Sequence, residues 1–231
     1  MEKIRRGVFI HSYNVNEKNW YSTVWGEAPN KPGRLPAGVN ILFESGADQL
    51  FLIGSAIGKD NKSSGEWMRD LLMEKIKELP QFSIYPVLSR FSEAEIMAEL
   101  SAKLVFVPAP EVKNTVDEII FLDPLCYEYK IDVPILVSSF DHMSRILRDA
   151  GAIWQEQNSN PKLAAHLLCR PAVTLYTKED GITPPHLAKM ASVIIAEPRA
   201  PLVSYFKRMF GISNNPEALA EIDAVLKKYG K

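Results

Sequence analysis

Ser138-Ser139-Phe140-Asp141-His142-Met143-Ser144-Arg145 directly follows the apolar run Val133 to Val137 and brings hydroxyls, an imidazole and a guanidinium together. At helical spacing His142 and Arg145 lie near one face of a helix start, so both can approach a ligand at the strand end. They are the first candidates for catalysis. Ser138 or Ser139 beside His142 would make a nucleophile and base pair, but the chain has no GxSxG elbow, which argues against an α/β-hydrolase. Asp141 could simply cap the helix. A second cluster, Gly54-Ser55-Ala56-Ile57-Gly58, follows the run Gln49 to Ile53 and offers free backbone N–H groups and a hydroxyl to an anionic oxygen or phosphate. It is neither a Walker A loop nor GxGxxG, and its glycines could serve the turn alone. Ser92-Glu93-Ala94-Glu95 sets two carboxylates at a helix start, where they complement the helix dipole or serve a ribose hydroxyl, a cation or an acid–base step. Asn114-Thr115, with Glu118 three residues after Thr115, fits a capping box. His11 and Ser12 close the run Gly7 to Ile10. Cys126 and Cys169 have no partner at metal-ligand spacing, and His11, His166 and His186 form no HExxH pattern, so no metal site is expected.

These residues need elements to position them, and the apolar pattern supplies them. Near-continuous runs at Gly7 to Ile10, Gln49 to Ile53, Leu104 to Val107 and Val133 to Val137 read as strands buried on both faces. A further strand is expected over Ser83 to Leu88, at an edge or a strand end because of Pro86, and another over Ala172 to Tyr176. Between them lie helical stripes: Leu35, Val39, Leu42 and Phe43, stopped at Gly46; Trp67, Leu71, Leu72, Ile76 and Leu79, closed by Pro80; Ile96, Met97 and Leu100 after Ser92. A helix from Asn114 is expected to break at Asp123-Pro124, and another to run from His142 to Ala150. Shorter apolar segments follow at Ala152 to Trp154, after Pro161, at Val193 to Ile195, and in helices near 201–209 and 216–229. Residues 14–33 form a long loop whose Trp20, Tyr21 and Trp25 argue for order.

Strands alternating with helices imply an α/β sandwich, a mostly parallel sheet between two helix layers, followed by a helix-rich C-terminal extension. Ligands in such sheets bind beyond the carboxyl ends of the strands, where the candidate segments fall. The chain has 231 residues, 46% of them hydrophobic and 24% charged, and a formal charge of −1. Such a chain buries roughly 70–75% of its unfolded surface, and we read residues 1–231 as a single domain. Balanced charge gives nucleic acid and anionic membranes no purchase. The apolar run after the basic start ends at Ile10, short of the ~7–15 residues of a signal-peptide core. No later run suits a membrane span. A cytoplasmic location is expected.

The succession of motifs resembles the bacterial YdcF/SanA/ElyC family. The resemblance rests, in order, on the apolar strand, the helix Gly33-Arg34-Leu35-Pro36-Ala37-Gly38-Val39, Ile53-Gly54-Ser55, Ser92-Glu93-Ala94-Glu95-Ile96-Met97, Asn114-Thr115 with Glu118, and Val137-Ser138-Ser139 with His142 and Arg145. It covers residues 7–151 and gives out over 152–231. Gly54-Ser55-Ala56 stands where the family has Ser-Gly-Gly, and Ser64-Gly65-Glu66-Trp67-Met68 competes with the Ser92 motif, so either Glu66 or Glu93 and Glu95 would enter the crevice. The resemblance implies a three-layer Rossmann-like fold and, for soluble members, a nucleoside-type ligand such as S-adenosylmethionine. Carried over position by position, it implies Arg34, Ser55, Glu93, Glu95, Asn114, Thr115, Ser138, His142 and Arg145 as pocket residues.

The expected function is binding of a small anionic or nucleotide-like metabolite in that crevice. His142, Arg145 and Glu93 would carry any chemistry. His11, Ser12, Arg34, Gly54, Ser55, Glu95, Asn114, Thr115, Ser138 and Ser139 would line the site. The alternative is a non-catalytic interaction module linked to cell-envelope biogenesis, presenting Trp20 to Trp25 and the C-terminal helices.

Overall fold

The structure, a computed structural model, describes residues 3–56, 58–139, 142, 143, 145, 146, 149, 150, 153 and 168–172. Its centre is a parallel sheet. Strand β1 (Arg6–Ile10) lies between β4 (Gln49–Gly54) and β8 (Val133–Ser139), with β7 (Leu104–Pro108) outside β4 and β9 (Leu168–Ala172) outside β8. In chain order these five strands read third, second, first, fourth, fifth, the arrangement of a doubly wound Rossmann-like fold. The direction of winding reverses between β1 and β8, which opens a crevice at their carboxyl ends.

Period-2 alternation sorts each strand's side chains to two helix layers. Val8, Ile10, Leu50, Leu52, Ile135 and Val137 pack with α2 (Arg34–Ser45), α3 (Ser64–Lys75) and α4 (Glu93–Lys103). Phe9, Phe51, Ile53 and Leu136 face the other way, onto α5 (Thr115–Glu128) and the helical residues Met143, Ile146 and Ala150. Both faces of β1, β4 and β8 are therefore dry, as their uninterrupted apolar runs require.

Local chemistry fixes the helix ends. Gly46 closes α2 at φ 60°, a left-handed position that costs glycine least. Ser63 with Glu66 and Ser92 with Glu95 form reciprocal capping boxes at α3 and α4. A hairpin of β5 (Gly58–Lys59) and β6 (Lys62–Ser63) turns on Asp60 and Asn61, both at positive φ, and delivers Ser63 to its capping position.

Several expectations need correction. No strand forms over Ser83 to Leu88; tight turns carry the chain across residues 83–87 between 3-10 segments at Ile76–Gln81 and Leu88–Arg90, and Phe82 and Leu88 are buried as single anchors, Phe82 edge-on to Trp25. Pro80 and Pro86 supply no ladder N–H, which favours that outcome. Helix α5 runs through Pro124 because Leu122, Leu125 and Cys126 hold both sides of the proline in the core. Strand β8 continues through Ser138 and Ser139, two residues past the apolar run that marked it in the sequence. The loop 14–33 contains α1 (Trp20–Val24) and a short ladder of β2 (Gly26–Glu27) with β3 (Lys31–Pro32). The strand expected at Ala172 to Tyr176 begins earlier, as β9, and residues 173–176 lie outside the described residues, as do the segments expected around Trp154, after Pro161, at 193–195, 201–209 and 216–229. Among the described residues no helix is long and apolar enough to cross a membrane.

Candidate functional site

At the carboxyl end of β1 the backbone N–H of His11 donates to Val137 O at 3.0 Å, so His11 extends the ladder one residue past Ile10. Two positions beyond Phe9, its side chain falls on the α5 face. There His11 Nδ1 lies 2.7 Å from Glu118 Oε2. Ser12 donates its backbone N–H to Glu118 Oε1 at 3.1 Å and its hydroxyl to the same oxygen. His11 is 3% exposed and Glu118 4%. Burial by itself would raise the Glu118 carboxyl, but the hydrogen bonds from His11 and Ser12 outweigh it and hold the group below its ordinary value. Glu118 is thus an ionised, fully satisfied carboxylate that fixes the imidazole through a donated Nδ1–H. His11 Nε2 is left buried without a hydrogen-bond partner.

Arg34, the first residue of α2, is fully buried at the opposite layer. It donates from Nη1 to His11 O at 3.0 Å and Ser12 O at 2.6 Å, and from Nη2 to Ser139 Oγ at 2.8 Å, with the Tyr13 ring 5.0 Å from Cζ. A cation at a helix N-terminus opposes the helix dipole, so this placement depends on those carbonyls and the ring. Arg34 ties the ends of β1 and β8 together and puts a fixed positive charge beneath the crevice.

Thr115, His142 and Arg145 form a third group. Arg145 Nη2 donates to Thr115 Oγ1 at 2.7 Å, which leaves the hydroxyl hydrogen for His142 Nε2 at 3.0 Å. Burial and the positive charges of Arg34 and Arg145 push His142 down to about 2, so its imidazole stays neutral and accepts at Nε2. No carboxylate among the described residues pairs with Arg145.

At the ends of β4 and β7 is a cavity of about 660 Å³ lined by Gly54, Ser55, Lys59, Lys62, Glu66 and Pro108 among others. Ser55 Oγ lies 2.5 Å from Ser64 Oγ at the start of α3. The size suits a small metabolite.

The structure thus brings His11, Ser12, Arg34, Thr115, Ser138, Ser139, His142 and Arg145 to the β1/β8 crevice and puts Gly54 and Ser55 one strand away. Glu93 and Glu95 go elsewhere. Both are exposed; Glu95 is engaged with Ser92 and lies beside Leu42, Phe43 and Gly46, at the α2 end that leads into the start of β4. Of the competing carboxylates, Glu66 is the one that lines the cavity. Asn114 is the N-cap of α5, accepting from Val116 and Asp117, with its side chain exposed. Thr115 is therefore not the cap, and Glu118 does not close a capping box; the buried imidazole and Ser12 take its carboxylate instead. The role of Glu118 had a signal in the sequence: with Thr115, Ile119, Leu122, Leu125 and Cys126 it lies on the buried stripe of α5, where an unpaired carboxylate would be costly. Trp25 belongs to the core, while Tyr21 is exposed. Among the described residues no three metal-ligating side chains gather.

No protein-family model, curated protein or solved structure matches this chain.

Proposed function

We propose that the chain binds a small anionic, nucleotide-like metabolite at the carboxyl ends of β4, β1 and β8. One observation carries the reading: two cationic side chains, Arg34 and Arg145, act on a crevice that also holds buried polar atoms with unused hydrogen-bonding capacity, His11 Nε2 and Ser138 Oγ. Buried polar atoms in native proteins are almost always satisfied, so such a pair marks a place where something binds. The anionic end of the ligand meets Arg145 and the His11 edge, and its body extends toward Gly54, Ser55 and the adjoining cavity. On this reading the chain is YdcF-like, and S-adenosylmethionine belongs among the first nucleoside-type ligands to test.

The test is a thermal-shift series with inorganic phosphate, nucleoside mono-, di- and triphosphates and S-adenosylmethionine. A ligand at 100 times its Kd adds about 2.7 kcal/mol, which for a chain of this size raises Tm by roughly 5–10 °C. Arg145→Gln, at a partly exposed position, should abolish that rise. No shift from any compound, or an undiminished shift in folded Arg145→Gln, overturns the assignment.

A further inference from the structure

Resting on that site, we propose that Glu118, His11 and Ser138 form an acyl-transfer triad that cleaves small anionic esters, with Ser138 as nucleophile and His11 as its base. Three independent observations converge on it. First, Ile10 pairs with Val137 and the next hydrogen bond of the ladder is His11 N–H to Val137 O, which places His11 and Ser138 side by side on neighbouring strands, about 4.8 Å apart. Second, both side chains point to the same layer. His11 does so by its contact with Glu118 on α5, and Ser138 by alternation from Leu136, which packs with α5, and before Ser139, which bonds Arg34 on the other face. Third, His11 Nε2 and Ser138 Oγ are both buried and neither is hydrogen-bonded, to the other or to any other group, so both remain free to pair when a substrate draws them together. Carboxylate, imidazole and hydroxyl therefore stand in the order that activates a serine, on strand ends rather than on a nucleophile elbow; such a triad is defined by geometry and not by sequence position.

The steps balance. Ser138 Oγ bonds to the carbonyl carbon of the ester as its proton passes to His11 Nε2. The bond to the alcohol oxygen breaks, and the alcohol leaves with that proton. Water then attacks the acyl-enzyme, gives a proton to His11, and the acid departs as Ser138 Oγ recovers it. Throughout, Glu118 stays ionised and holds Nδ1–H, while Arg34 and Arg145 attract the negative charge of the substrate. His142, neutral and engaged with Thr115, is not the base. Because Ser138 is fully buried, only a small acyl group can reach it.

The experiment uses the full chain and p-nitrophenyl acetate, a probe with a small acyl group, followed by intact mass and peptide mapping. The expected result is an acetyl group on Ser138, absent in Ser138→Ala, and formed about 100-fold more slowly in His11→Gln. In the wild type the acylation rate should rise through a single ionisation with pH, a readout that needs no variant should His11→Gln fail to fold. No acetyl on Ser138 of the folded wild type, a rate equal in folded His11→Gln, or a pH-independent rate overturns the proposal. Binding of phosphate or nucleotides is read separately by thermal shift: a chain that binds them but never acylates Ser138 refutes only the triad, and one that acylates without binding them refutes only the ligand assignment.

Discussion

Replacing Glu118 by Ala removes one side chain and strands three donors. His11 Nδ1–H, Ser12 N–H and the Ser12 hydroxyl all end on this carboxylate, at a residue 4% exposed. A buried donor left unsatisfied costs about 1–3 kcal/mol. The three are not additive, because they share one acceptor and can relax together; breaking a buried charged pair as a unit costs about 3–5 kcal/mol. We expect a loss in that range, a fall in Tm on the order of 10 °C. Urea unfolding followed by circular dichroism measures it as a shift in midpoint at unchanged slope. Glu118→Gln should lose less, since its carbonyl can still accept from Ser12. The sign of the pH dependence follows from the lowered value of Glu118. Its contribution is complete above the unfolded value of 4.5 and is lost as pH falls through the folded one, so wild type and Glu118→Ala should converge in acid. A loss below about 1 kcal/mol at neutral pH, or a difference that persists unchanged to low pH, would refute the account of this pair.

Two further perturbations test neighbouring parts. His142 titrates near 6.5 when unfolded and about 2 when folded. Between those values the unfolded chain holds the extra proton, so stability is complete above pH 6.5 and falls by up to about 1.4 kcal/mol per pH unit below it; His142→Asn should flatten that part of the profile between pH 6.5 and 4.5, and superimposable profiles would contradict a buried neutral imidazole. Gly65→Ala should destabilise by about 1–3 kcal/mol or more, because a Cβ there would stand 2.4 Å from Ile53 O and 2.7 Å from Gly54 N and Cα, backbone atoms that cannot step aside; an unchanged urea midpoint would show that α3 does not close on β4 in this way.

The sheet could be read from the sequence because strands covered on both faces leave uninterrupted apolar runs, and β1, β4 and β8 have them; β7, half-buried at the sheet edge, carries a similar run. The crevice could be read because polar residues follow those runs directly, and His11, Ser138 and Ser139 owe their positions to nothing more than the end of a strand. What escaped was anything decided by a partner distant in sequence. Glu118 has the spacing of a capping residue, and only the approach of His11, 107 positions away, turns it inward. Glu95 has the same local spacing and keeps the capping role, because the start of α4 meets solvent and no imidazole. Local pattern was equal in the two cases; burial separated them. Ser83 to Leu88 failed for the opposite reason, since an apolar stretch can serve as isolated anchors when prolines deny it a ladder.

The reversal between β1 and β8 also explains how opposite charges come to share one crevice. Helix α2 and helix α5 cover opposite faces of the sheet, and each brings its polar residue to the strand ends: Arg34 to the carbonyls of His11 and Ser12, Glu118 to the imidazole of His11. Had they met directly, they would form an ion pair. Here His11 is engaged from both sides, its backbone by the cation and its ring by the carboxylate. The two histidines consequently experience different surroundings, His11 beside a carboxylate and His142 among cations. Neither helix alone could produce that asymmetry. It follows from a chain that winds first to one side of β1 and then to the other.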